Sequence, residues 1–125
     1  MATERQPVPT VTDADVDRIV RRDFSYDEHQ RAIALLARYG SDDWHREAVR
    51  VRLAVLKLAD GDMTRLEREV EVACRDYRDV LAPAEYPEYC AKSIKGRFGR
   101  GQRASAIASD WQQYSQWLQR TEPKA

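Results

Sequence analysis

Cysteine is scarce: the 125 residues hold two, Cys74 and Cys90, in unrelated surroundings. That is too few and too scattered for a secreted disulfide scaffold, and both thiols are expected to be reduced. Histidine is as rare, with His29 and His45 alone: Cys90 has no base near it in sequence, neither histidine supports a catalytic triad, and without paired cysteines a conventional zinc site has no basis. Glycine and proline number five each, which disfavours a turn-rich β-sandwich and a disordered tail alike. Charge of one sign is lacking too. Lys plus Arg (21) balances Asp plus Glu (21), so no global field draws the chain to nucleic acid or an anionic membrane, and any such partner must use a local patch. No apolar run approaches the roughly 20 residues that span a bilayer, and the opening MATERQPVPTVTDAD has no apolar signal core. A cytoplasmic protein with no membrane partner is the expectation.

What is present is amphipathic periodicity. The chain is 42% hydrophobic and 34% charged, and its length suits one domain with a core large enough to stand without disulfides or metal. Residues 1–11 carry Pro7 and Pro9 among polar neighbours and read as a flexible arm. Thr12 or Asp13 then caps a short helix bearing Val16, Ile19 and Val20. The spacing Ser25-Tyr-Asp-Glu28 is a capping box, and Gly40 is the matching stop, so a second helix is predicted over 26–39. Trp44, Ala48, Val51, Val55 and Leu58 recur at alternating fours and threes. Beyond Gly61, Leu66, Val70, Ala73 and Tyr77 repeat the pattern behind an Asp62 cap. So short a connection predicts an antiparallel hairpin, about 43–60 with 63–81. From 83 to 103 proline and glycine interrupt the pattern, leaving a short helical piece near 88–93, and a last helix follows over 104–120. The fold class predicted is all-α, a compact bundle of four to five helices over 12–121.

Several residues stand out against this frame. Arg52 falls inside the apolar arc of the third helix, whereas Arg46, Arg50 and Lys57 share its opposite, solvated face. A buried guanidinium keeps its proton, so Arg52 requires a carboxylate or several carbonyls. Asp76 is the first choice of partner and Glu85 the next. His29 shares a helical face with Ala32, Ile33 and Leu36 and is predicted to face the core as a buried polar group. Both anomalies read more readily as satisfied structural pairs than as a ligand pocket.

Two stretches could carry a function. Tyr77, Tyr86 and Tyr89 lie in DYRDVLAPAEYPEY, dense in aromatic and charged residues of the kind enriched where surfaces bind partners. The plain alternative is that these rings close the end of the bundle. Lys92, Lys95, Arg97, Arg100 and Arg103 run without an acid, interleaved with Phe98 and glycines, through a basic connection at about 92–103. That run could meet the phosphates of a nucleic acid or a phosphorylated ligand, yet it lacks phosphate-loop, zinc-finger and RNA-recognition signatures. The function expected is a non-catalytic interaction module, with a protein or a second copy of the chain as partner and the basic connection as the alternative. No metal or cofactor is implied. The run RVRLAVLKLADGDMTRLEREVEVACRDYRDVLAPAEYPEY, 50–89, resembles a group of small bacterial helical proteins without an established activity, which implies a bacterial cytoplasmic origin and transfers no site residue.

Overall fold

Helix starts follow the capping residues. In a computed structural model, which describes residues 7–94, 96 and 98–122, Asp15 accepts the Thr12 N–H at 2.9 Å at the head of α1 (Asp13–Asp23). Glu28 reaches back to the Ser25 N–H at 3.3 Å across a 3-10 turn (Tyr26–Glu28) that leads into α2 (His29–Ala37). Asp62 accepts the Arg65 N–H at 3.0 Å and opens α4 (Met63–Arg75). Each carboxylate satisfies an amide that the first helical turn leaves without a partner. The described residues hold no strand, and the all-α expectation stands.

The predicted hairpin is present but shorter than expected at both ends. Its first arm is α3 (Ala48–Ala59), entered through Glu47 in the left-handed region at φ 48°. Residues 41–47 form a loop, and Trp44 is 49% exposed instead of heading the seam. Tyr39 and His45 hold that loop. The Tyr39 hydroxyl donates to the Arg46 carbonyl at 2.8 Å and accepts the Arg46 N–H at 3.0 Å. Its ring stacks on His45, whose Nδ1 accepts the Gly40 N–H at 2.8 Å and so carries no proton. Gly40 is favoured here by its φ of 111°, which side chains rarely adopt, and a Cβ would in addition displace the Arg52 guanidinium, 2.6 Å away.

The second arm ends at Arg75. The Asp76 side chain accepts the Arg78 N–H at 3.0 Å, a local turn that competes with helix continuation. The chain then restarts as α5 (Arg78–Glu85), which carries Pro83 inside it. α6 (Pro87–Ile94) and α7 (Gln102–Gln119) follow. The connection expected to be irregular is thus largely helical, with α6 standing where a short helical piece was expected near 88–93, and the all-α bundle comprises seven α-helices of 8 to 18 residues among the described residues.

α3 packs against α1, α4 and α5, while α7 packs on α5 and α6. That arrangement surrounds α3: Val51, Leu53, Ala54, Val55, Leu56 and Ala59 are all buried, covering more than one face. A helix enclosed in this way has no fully solvated side, so charges on its apparent outer face must find partners. Arg22, at the end of α1, fastens the last helix. It donates to the carbonyls of Trp117 at 2.6 Å and Arg120 at 2.9 Å, its guanidinium lies 5.3 Å from the Trp117 ring centre, and Asp23 neutralises it at 2.8 Å. A cation against the last carbonyls of α7 complements the helix dipole.

Candidate functional site

The expected Arg52–Asp76 pair does not form. Arg52 is half-buried, and its Nε donates to the carbonyls of Leu36 at 3.1 Å and Tyr39 at 2.9 Å. It caps the end of α2, where carbonyls lack helical partners, and needs no carboxylate. Asp76 is held instead by Arg78, at 3.0 Å and 2.8 Å, and that guanidinium keeps its carboxyl below the ordinary carboxylate range. His29 is likewise less central than predicted: half-buried, it sets Nε2 2.9 Å from the Phe24 carbonyl, and its neighbour Ile33 is 41% exposed. A carbonyl can only accept, so Nε2 carries the proton.

The buried ion pair lies two residues before Arg52, at Arg50, on the face predicted to be solvated. Arg50 meets both oxygens of Glu85, Nε to Oε2 at 2.7 Å and Nη2 to Oε1 at 2.6 Å, with the Glu85 side chain 5% exposed. The bidentate geometry pushes the guanidinium pKa further up. Glu47 adds a second, more exposed carboxylate to Arg50 at 2.9 Å. α5 creates this pair. Restarted at Asp76, it lies over the second face of α3 and brings Glu85 to it.

Next to Glu85 stands Asp110, buried at 2% exposure on the inward stripe of α7 with Ile107 and Tyr114. Its two oxygens accept the backbone N–H groups of Glu88 and Tyr89, both at 2.9 Å. An acid from α7 therefore caps the first turn of α6 across the fold. Sequence reasoning missed both Arg50–Glu85 and Asp110. The available signal for Asp110 was an acid with Ile107 three residues before it and Tyr114 four after it.

The tyrosines divide. Tyr77 is half-buried and packs against the main core. Tyr86 and Tyr89 lie together, ring centres 6.2 Å apart and edge to face, and Tyr89 meets Phe98 at 5.1 Å. The Arg103 guanidinium sits 5.1 Å from the Phe98 ring centre. The Tyr edge and the basic connection, separate in sequence, thus share one partly exposed surface at the α6–α7 end. Within the basic run Lys92 pairs with Glu88 at 3.8 Å on α6, Arg100 is exposed, and Lys95 and Arg97 lie outside the described residues.

Behind this edge Tyr86, Ile107, Trp111 and Tyr114 wall a small cavity bordered by Glu85 and Asp110 and closed by Pro7 and Pro9. Part of the expected flexible arm is therefore docked, with Pro9 buried. Residues 9–11 continue past the first turn of α3 beside Arg50. The Tyr114 hydroxyl is buried without a hydrogen-bond partner among the described residues. Burial, and then the negative charge of Glu85, push its phenol pKa well above the ordinary value. Because the folded state favours the neutral phenol, this contribution is complete at neutral pH and declines as pH rises past the ordinary tyrosine value of about 10. Tyr39 and Tyr86, also pushed up by burial, act in the same direction. Tyr114→Phe should lie within about 1 kcal/mol of the parent at neutral pH, since no protein hydrogen bond is lost. It should lose less stability than the parent near pH 11, as urea unfolding at the two pH values will show.

Burial also raises the Cys74 and Cys90 thiols, which disfavours their reactive thiolate forms. Among the described residues no group of three His, Cys, Asp or Glu side chains is placed to hold a metal ion, and no helix is long and apolar enough to cross a membrane. Comparison of the chain with protein-family models, curated proteins and solved structures gives no match.

Proposed function

We propose that the chain is a non-catalytic, cytoplasmic protein-interaction module that binds its partner through the Tyr86–Tyr89–Phe98 edge. The observation that carries this reading is the run of aromatic contacts outside the main core, ending in the Arg103 guanidinium. Tyrosine and arginine offer contact area at low entropic cost together with directional hydrogen bonding, the combination found at binding hot spots. The neighbouring polar groups support it as well. Glu85 is saturated by Arg50 and Asp110 by two backbone amides, so both carboxylates are engaged in holding the fold.

Tyr89→Ala, and independently Phe98→Ala, should lower capture of a partner from a lysate of the native host by about tenfold or more. Tm should stay within about 3 °C of the parent, since neither residue belongs to the main core. Capture left intact in both variants, at unchanged Tm, would sink the proposal. A second reading, binding of nucleic acid or a phosphorylated ligand, draws support from Arg103 over Phe98 with Arg100 exposed nearby. It requires binding to labelled oligonucleotides that weakens steeply with added salt. The Lys92–Glu88 pair counts against it by reducing the local positive charge.

A further inference from the structure

The groove behind the aromatic edge is occupied by a piece of this same chain, which indicates what it accepts. Pro9 is buried, and with Pro7 it closes the cavity against Tyr86, Ile107, Trp111 and Tyr114. Proline suits such a place. It has no N–H to leave unsatisfied, and each proline biases the residue before it towards extended backbone, so Pro7-Val8-Pro9 reaches the groove with little conformational freedom to lose. Aromatic-lined grooves receive extended proline-containing segments on these grounds.

Two further features show that the resident segment uses the groove incompletely. Trp111 is still 39% exposed and Val8 60% exposed, so the arm covers part of the ring and is held mainly through one buried proline. The Tyr114 hydroxyl has no partner among the described residues. Pro7-Val8-Pro9 thus sets no carbonyl on this phenol, whereas a segment seated more deeply in the groove could bring one of its carbonyls to it. We propose that the Tyr86–Trp111 groove docks a proline-containing extended segment of a partner protein and that Pro7-Val8-Pro9 is its displaceable internal occupant. This deepens, and rests on, the protein-interaction reading, since the groove and the Tyr86–Tyr89 edge share Tyr86.

The test uses the full chain with its arm loosened by Pro7→Gly and Pro9→Gly. The probe is a synthetic peptide with the sequence of residues 5–12, against a control peptide carrying glycine at both proline positions. The indole resonance of Trp111 and titration calorimetry are followed. Because a docked arm competes with the probe, the loosened chain should bind the proline peptide about tenfold more tightly than the parent. The Trp111 resonance should shift, the control peptide should not bind, and Trp111→Ala in the loosened chain should remove binding. An unshifted Trp111 resonance, or equal shifts with both peptides, overturns the inference. So does a parent chain that dimerises with concentration by exchanging arms while its loosened form stays monomeric and ignores the peptide. The wider reading fails separately, through partner capture left unchanged in both Tyr89→Ala and Phe98→Ala.

Discussion

Glu85→Ala is expected to cost about 3 kcal/mol of folding stability, because it leaves a largely buried guanidinium without its main counter-charge. In a chain of this length that corresponds to a fall in Tm of roughly 10 °C. Glu85 is 6% exposed, and both of its oxygens are engaged by Arg50 at 2.6 Å and 2.7 Å. The figure lies at the lower end of the range for broken buried pairs because Arg50 keeps Glu47 at 2.9 Å, a carboxylate whose side chain is 50% exposed. Replacing both partners with apolar residues of similar volume, Arg50→Met with Glu85→Leu, removes the stranded charge together with the attraction. That double variant should recover most of the loss and can equal the parent in stability. Chemical denaturation of the parent, Arg50→Met, Glu85→Leu and the double variant closes the cycle. A coupling below about 0.5 kcal/mol would mean that solvent reaches the pair and that it contributes no more than a surface contact.

The same pair shows why the fold was more legible in the sequence than the site. Capping residues act over three or four positions, and Thr12, Ser25 and Asp62 mark helix starts correctly because the groups that satisfy the first amides lie within that window. Periodicity identifies a helix's inward stripe, and the α3–α4 contact follows from it. Neither signal counts how many neighbours a helix has. α3 is covered by α5 as well as α4, so the face carrying Arg50 meets a second layer and only looked solvated on a helical wheel. Asp76, which a helical wheel offers as a long-range partner for Arg52, turns the chain instead by accepting from the backbone two residues onward. Arg52 itself was rightly identified as a guanidinium needing satisfaction. The groups that satisfy it are main-chain carbonyls at 2.9 Å and 3.1 Å, and every residue has a carbonyl. The aromatic edge was half legible: Tyr86 and Tyr89 are close in sequence, but Phe98 joins them only because α6 carries the chain back alongside α7.

Asp110→Ala should produce a loss of a different kind, about 2 to 3 kcal/mol in stability together with fraying of α6, because one side chain satisfies two of that helix's first amides. Both contacts are 2.9 Å and Asp110 is 2% exposed, so water cannot readily replace the carboxylate. Asparagine keeps one acceptor oxygen but turns an NH2 donor towards the second amide, so Asp110→Asn should fall between the parent and the alanine variant. Hydrogen exchange separates fraying from a uniform loss of stability. The amides of Glu88 and Tyr89 should lose protection ahead of core amides such as those of Val55 and Leu56, and equal loss everywhere would remove the capping role. The functional consequence follows from position. α6 carries Tyr89 to its contact with Phe98, so a frayed α6 should disperse the aromatic edge and reduce partner capture, even at a temperature where the remaining fold is intact. Tyr89→Ala removes the ring without this fraying, so comparing the two variants separates the side chain's own contribution from that of the helix presenting it. If capture survives Asp110→Ala while the Glu88 and Tyr89 amides exchange freely, the partner does not depend on an ordered α6 and the binding edge must be placed elsewhere.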